Sequence, residues 1–203
     1  IDAKNAACFD INVACSGFVY ALHIADSMMK TGLYKTALIL GAETLSKITD
    51  WKDIGTCILF GDVAGASVLK TDENYGVLGQ DLGADGKKGM AVYCNGQSTR
   101  NHWIPKPIEE NYLVMNGGDV FKFAVSTVPA SIKKVLGSAG ITPEQVKYFV
   151  LHQANFRIVE AVAKRMKCDL SKLPMNMDRC GNTSSASVPI MLDEINRAGN
   201  LKE

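Results

Sequence analysis

Apolar residues along this chain fall into short dense runs separated by polar or glycine-containing stretches. The first, Ala6–Val13, is apolar on both faces and predicts a buried strand. It leads directly into Ser16–Lys30. There Phe18, Leu22, Ala25 and Met29 form one stripe, and Val19, Ala21, Ile24 and Met28 make the remaining faces apolar too. A helix that is apolar nearly all round is a central, buried one, and Gly32 supplies its stop. Strands are predicted at Thr36–Leu40, Cys57–Phe60, Ala64–Lys70 and Tyr75–Leu82, each with Gly, Asp or Asn close to its ends. Gly83–Pro107 is polar and rich in glycine, and reads as a surface excursion around a short strand at Met90–Cys94. Val120–Leu136 has helical spacing, with Pro129 expected to kink it. A short strand at Phe149–Leu151 precedes an amphipathic helix over Asn155–Met166 that turns Ile158, Ala161 and Val162 inward. A last helix, Ser187–Arg197, takes Ser187 as N-cap and Pro189 in its first turn, where a missing N–H is harmless. Strands alternating with helices predict a layered α/β fold, with helices covering the sheets and one helix buried between them.

Composition narrows this picture. The 203 residues are 47% apolar and the net charge is +1, which gives no electrostatic case for nucleic acid or an anionic membrane as partner. No apolar run approaches the roughly 18 residues of a membrane-spanning helix. The chain starts at Ile1 with a strand that needs neighbours, and stops after Gly199 just beyond a helix. It reads as an internal piece of a longer polypeptide. The six cysteines (8, 15, 57, 94, 168 and 180) are irregularly spaced, several within apolar runs. Free buried thiols in a reducing compartment are expected, and no Cys or His spacing suggests a metal site.

Three residues stand where chemistry is placed in α/β proteins. Cys15 lies at the turn from a buried strand into a buried helix, followed by Ser16-Gly17. Unpaired N–H groups and the positive end of the helix dipole there favour thiolate, the nucleophilic form. His152 ends an apolar run at a strand end and precedes Gln153-Ala-Asn155, the start of a helix. Asn182 lies in Cys180-Gly-Asn-Thr-Ser-Ser-Ala-Ser187, a run of small residues ahead of a helix. Each taken singly also has an ordinary structural account: a small core thiol, a satisfied histidine, a capped turn. His23, on the buried helix, reads as a satisfied core residue, and His102 as exposed in the excursion. Gly61-Asp-Val-Ala-Gly-Ala66 lacks the lysine of a phosphate-binding loop, and tight turning with close strand packing accounts for it better.

Taken together, five motifs carry a resemblance. Asp10-Ile-Asn-Val-Ala-Cys-Ser-Gly-Phe18, Ile39-Leu-Gly-Ala-Glu-Thr44, Leu59-Phe-Gly-Asp-Val-Ala-Gly-Ala66, His152-Gln-Ala-Asn155 and Gly181-Asn-Thr-Ser-Ser-Ala-Ser187 occur in an order that resembles β-ketoacyl-acyl carrier protein synthase III, the initiating condensing enzyme of fatty-acid synthesis. Relative to that family the chain is expected to lack roughly the first third and the C-terminal end. The resemblance implies a thiolase-like, five-layered α/β fold of two similar halves, mixed sheets around a buried helix layer, incomplete here. Residues 1–74 would be the remainder of the half bearing the nucleophile, and 75–203 most of the half bearing His152 and Asn182.

The resemblance also implies roles. Cys15 would take an acyl group, commonly acetyl, from coenzyme A. Malonyl on acyl carrier protein would then lose carbon dioxide, and the enolate, stabilised by His152 and Asn182, would attack the acyl carbon to give a 3-ketoacyl product. Phe60 and Ala154 would border the substrate. Arg157, Lys164 and Arg165, with Lys122 beside them, would meet the acidic carrier protein. Ile54 and Gly118 depart from an arginine and an asparagine common in the family near coenzyme A. No cofactor is implied, since acyl-coenzyme A is a substrate; a homodimer in the cytoplasm or plastid stroma is. Related alternatives are a plant-type (type III) polyketide synthase, a hydroxymethylglutaryl-coenzyme A synthase, or a non-catalytic carrier-protein-binding subunit of the same fold.

Overall fold

The computed structural model describes residues 2–95, 103 and 111–201. His102 and most of the second part of the polar excursion lie outside the described residues. The elements in chain order are α1 (Gly17–Lys30), β1 (Thr36–Thr44), α2 (Ile54–Cys57), β2 (Asp62–Lys70), β3 (Val92–Tyr93), β4 (Val114–Met115), α3 (Gly117–Ala139), α4 (Phe156–Met166), α5 (Met177–Cys180) and α6 (Ser187–Arg197). β1 and β2 form an antiparallel pair registered from Thr36 opposite Lys70 to Thr44 opposite Asp62, and β3 and β4 form a second, shorter one. The architecture is α/β, as expected. Both sheets among the described residues are antiparallel, where mixed sheets were expected.

The helices follow local signals closely. α1 ends beside Gly32, whose φ of 80° is the left-handed conformation a stop requires. The N-cap of α4 is Asn155, whose side chain accepts the Arg157 N–H, and that of α3 is Asn116, which accepts the Asp119 N–H. α3 runs through Pro129 as one helix and closes on Gly140 at φ 68°. Ile158, Val159, Val162 and Ala163 form the inward stripe of α4, while Ala161, expected inward, is only half-buried. Together with Phe149 and Leu173 that stripe makes the larger core, against which Val128, Ile132 and Leu136 of α3 pack. A side chain fully buried there contributes about 1.5–3 kcal/mol relative to exposure.

Several strands that hydropathy predicts are not formed. Residues 6–12 are exposed and carry no strand pairing; 75–82 is likewise unpaired, though partly buried. Cys57–Phe60 is the end of α2 and a turn, with only Phe60 bridged, in parallel, to Asn182. Met90 and Ala91 belong to a 3₁₀ turn, so the predicted strand shrinks to β3. A strand is a property of a pair, and an apolar run shows the wish for a partner without supplying one. For the same reason α1, expected to be buried all round, buries only Phe18 and Met29 and leaves Val19 45% exposed. None of the six free cysteines is fully buried; Cys8 and Cys15 are exposed and the rest are intermediate.

The inner face of β1–β2 organises a second, smaller core. Alternation puts Ile39, Gly41 and Glu43 on that face and Leu38 and Leu40 on the exposed one. Ile39 packs with Phe18 of α1 and Val188 of α6, joined by Val150. Residues 149–151 are therefore held between two cores: Phe149 and Leu151 on the α3–α4 side, Val150 on the β1 side. The strand expected over Phe149–Leu151 is not formed; His152, the next residue, is held toward α6 by Ser187.

Candidate active site

The run Cys180–Ser187 is anchored by backbone on backbone. Asn182 N–H donates to the Leu59 carbonyl at 2.7 Å and Gly61 N–H to the Asn182 carbonyl at 3.0 Å. Glycine is required on both sides of this approach. A Cβ on Gly61 would lie 2.3 Å from the Cys180 carbonyl oxygen, and one on Gly181, at φ 66°, 2.9 Å from the Leu59 oxygen. Gly65 admits Pro189 and Ile190 of α6 in the same way, at 3.1 and 3.0 Å. Close packing is thus the account of the Gly61–Ala66 segment.

Asn182 is 7% exposed, and its Oδ1 accepts the Ser184 N–H at 3.0 Å. That bond fixes the amide orientation and leaves Nδ2 as the donor. Ser184 has φ 48°, a left-handed conformation uncommon outside glycine. Besides its N–H on Asn182, its carbonyl accepts the Ser187 hydroxyl at 2.9 Å, and its side chain hydrogen-bonds the Cys15 thiol. His152 reaches it through Ser187, whose Oγ lies 2.7 Å from Nδ1 and donates to the Ser184 carbonyl. All three residues singled out in the sequence therefore converge on Ser184, which sequence reasoning left as a member of a small-residue run.

Cys15 lies in a 3₁₀ turn, Ala14–Ser16, that leads into α1. Ala14 before it has φ 45°. Such strain persists only where the surroundings enforce it. The Cys15 residue is open to solvent on one side, yet its thiol is crowded on the other. Burial pushes its pKa up, the Ser184 hydrogen bond pulls it back, and the Glu43 carboxylate raises it further. The net direction is opposite to the thiolate-favouring effect expected from the helix terminus. Desolvation acts at contact distance, whereas the dipole is spread over the first turn.

His152 is held through its Nδ1, 2.7 Å from Ser187 Oγ, which also receives the Gln153 N–H at 3.2 Å. Ser187 was expected to cap α6. It is instead the first residue of that helix, with Ala186 at the cap, and its hydroxyl serves the histidine. Gln153, wholly buried, locks the neighbouring backbone by donating to the Leu151 and Pro174 carbonyls and accepting the Asn176 N–H. Burial drives the His152 pKa down to about 4, so the imidazole is neutral at physiological pH. Its Nε2 is buried and has no hydrogen-bond partner among the described residues. A neutral imidazole with one open ring nitrogen, beside an amide N–H₂, is suited to stabilise an oxyanion.

The remaining candidates are placed as follows. Phe60 is half-buried and bridged to Asn182, at the site; Ala154 follows His152 and donates its N–H to the His152 carbonyl at 3.0 Å. Arg157, Lys164 and Arg165 are exposed on α4, seven and eight residues apart and so on one side of the helix. Lys122 is on α3, 81% exposed, and pairs with Asp119 at 4.0 Å. Ile54 is 73% exposed. His23 is not satisfied as expected: its buried Nδ1 has no partner among the described residues. Glu43 and Ser185 were missed as site residues; a charged residue at an inward strand position was the available signal.

Both the sequence and the fold match known proteins. Residues 9–86 match the family model for 3-oxoacyl-[acyl-carrier-protein (ACP)] synthase III, and residues 136–203 match the model of its C-terminal part. A beta-ketoacyl-[acyl-carrier-protein] synthase III of Clostridium acetobutylicum is 45% identical over 203 residues, covering 100% of this chain and 62% of the relative. The protein of the same description from Caldanaerobacter subterraneus subsp. tengcongensis is 47% identical, with the same two coverages. The crystal structure of 3-oxoacyl-[acyl-carrier-protein] synthase III from Aquifex aeolicus superposes with a TM-score of 0.89 at 39% identity, over 98% of this chain and 61% of that one. The chain thus spans about three fifths of the length of these relatives. The two antiparallel sheets among its described residues and the helices around them are part of a thiolase-like fold. With both family segments matched in order and the fold reproduced, the chain belongs to the 3-oxoacyl-[acyl-carrier-protein] synthase III family.

Proposed function

We propose that the protein containing this chain catalyses a decarboxylative Claisen condensation that starts fatty-acid synthesis. The observation that carries the reading is the convergence of Cys15, His152 and Asn182 on Ser184, with a neutral His152 whose Nε2 is unspent. In the first step the Cys15 sulfur attacks the carbonyl carbon of an acyl thioester of coenzyme A, with acetyl as the acyl group. The carbon–sulfur bond to coenzyme A breaks, its thiol leaves with a proton, and the acyl group stays on Cys15. In the second step malonyl on acyl carrier protein loses carbon dioxide. The electron pair of the broken bond forms an enolate whose oxygen faces His152 and Asn182, and its carbon displaces Cys15 to give the 3-ketoacyl product.

Stabilising the enolate oxygen needs an N–H at Nε2. That tautomer is reached when the Ser187 hydroxyl turns its one hydrogen from the Ser184 carbonyl to Nδ1, and the low pKa keeps the ring from taking a second proton. Each such donor is worth about 3 kcal/mol in the transition state. Phe60 and Ala154 border the reacting groups, and the exposed cations Arg157, Lys164 and Arg165, with Lys122, offer a surface to an acidic carrier protein. Residues 1–74 and 75–203 correspond in this reading to parts of two similar halves. The working form is a homodimer in a compartment that supplies coenzyme A thioesters, cytoplasm or plastid stroma.

The test is mass spectrometry of the intact protein mixed with acetyl-coenzyme A, with malonyl decarboxylation followed separately. A single acetyl adduct on Cys15 is expected, and its absence defeats the reading. His152→Ala is expected to abolish decarboxylation while leaving the adduct; loss of both together means that the roles are wrongly assigned.

A further inference from the structure

The inner face of β1 meets the 185–188 segment in steps of two residues. Ile39 packs with Val188. Gly41 lets the backbone of Ala186 approach so closely that an added Cβ would lie 2.9 Å from its Cα. Glu43 ends the row, its Oε1 accepting both the Ser185 N–H at 3.2 Å and the Ser185 O–H at 2.5 Å. Ser185 is wedged from the opposite side by the head of α1, where a Cβ on Gly17 would lie 3.0 Å from the Ser185 Cβ. It also follows directly on Ser184, the residue that touches Cys15, His152 and Asn182.

A carboxylate is an awkward neighbour for a nucleophilic thiol, because negative charge opposes thiolate formation. Packing alone would be served by a neutral side chain. What the carboxylate adds is two charge-assisted hydrogen bonds to one residue, stronger and more directional than those to a neutral acceptor.

We propose that Glu43 is a positioning residue: by gripping both the N–H and the O–H of Ser185 it fixes the 182–187 loop against Cys15, and so sets where Ser184 and Asn182 meet the reacting atoms. The catalytic consequence rests on the condensing reading; the effect of the Glu43 charge on the Cys15 thiol does not. Among the described residues Glu43 is the charged group acting on that thiol, alongside the Ser184 hydroxyl; His152, its partner in the site, is neutral.

The experiment uses the intact protein with Glu43→Ala, Glu43→Gln and Ser185→Ala. It reads kcat and KM for condensation and, independently, the pH profile of Cys15 alkylation by iodoacetamide, followed on the Cys15 peptide. Glu43→Ala is expected to lower kcat about 100-fold, the size of effect that a displacement of about 1 Å produces, with KM little changed. Glu43→Gln keeps an acceptor oxygen and is expected to recover about tenfold of that loss. Ser185→Ala, which loses only the O–H, is expected to fall between Glu43→Gln and Glu43→Ala. Both Glu43 variants remove the charge, so both move the alkylation midpoint to lower pH.

A kcat for Glu43→Ala within about twofold of the parent overturns the proposal, as does a Glu43→Gln variant no better than Glu43→Ala. Should Glu43→Ala fail to fold, Glu43→Gln decides: an unmoved alkylation midpoint means that the carboxylate does not face the thiol, and the proposal falls. A parent protein that alkylates at Cys15 but never condenses counts against the proposed function, and the alkylation profiles still test Glu43.

Discussion

The two sides of the site are built differently. On the side of His152 and Asn182, Gln153, Asn176, Thr183, Ser184 and Ser187 are all 5% exposed or less, and every bond that holds the imidazole and the amide comes from residues 151–194 or from the Leu59–Gly61 turn. On the side of Cys15, residues 2–12 are exposed, and Leu40 and Val68 on the outer face of β1–β2 are 66% and 68% exposed. The difference teaches that the His152–Asn182 side is organised mostly by its own segment, with the Leu59–Gly61 turn and Glu43 seating it, while Cys15, the proposed nucleophile, takes its setting from neighbours, Ser184 and Glu43 above all. A buried polar network specifies one geometry, because each broken bond strands a desolvated group, and here His152 Nε2 and Asn176 Oδ1 are its buried side-chain atoms without a partner among the described residues.

The largest expected effect comes from breaking the anchor of the preorganised side. Gly61→Ala places a Cβ where 2.3 Å separates it from the Cys180 carbonyl oxygen, a backbone clash that is expected to cost roughly 3 kcal/mol of stability. Gly86→Ala, where a Cβ meets nothing within 4 Å, is expected to stay within about 0.5 kcal/mol. Thermal or urea melts of the two variants decide. Equal midpoints would mean that the Leu59–Gly61 turn does not hold the Asn182 loop.

The next effect is on pH dependence. The folded-state pKa of His152 is depressed to about 4 from an ordinary 6.5. The unfolded chain therefore takes up this proton first as pH falls, and stability is lost between those two values. The full loss below pH 4 is roughly 3 kcal/mol. Urea melts of the parent and of His152→Gln between pH 7 and 4 check this. The parent is expected to lose stability more steeply; parallel curves would show that His152 is not held neutral by burial.

The smallest effect sharpens the role of one hydroxyl. Ser187→Ala leaves Nδ1 without the 2.7 Å partner that sets its tautomer. It is expected to slow malonyl decarboxylation about tenfold, less than loss of the imidazole itself, with Cys15 acylation unchanged. Decarboxylation at the parent rate would mean that Ser187 does not set the tautomer.

Much of this was legible in the residues. The long helices were, because periodicity, Asn caps and glycine stops act within a turn or two: α4 and α6 lie within a residue of their predicted ends, while the one-turn helices α2 and α5 were not foreseen. The short strands were less so, because 6–13 and 75–82 have strand-like hydropathy but no paired neighbour among the described residues. The site was legible as a trio and not as a network. Ser187 carried the sequence signature of a helix cap, and only its contact with a histidine 35 residues away revealed its other use.

By itself the sequence determined that the segments of α1, α3, α4 and α6 become helices and that Cys15, His152 and Asn182 stand at the ends of elements, since each of these depends on neighbours within a few positions. Tertiary structure alone decided that the three meet on Ser184, that Glu43 grips Ser185 across 142 positions of chain, and that the pKa of Cys15 rises while that of His152 falls. Desolvation and charge act through space, so the same cysteine at the same helix terminus is pushed one way or the other by whatever the fold brings beside it.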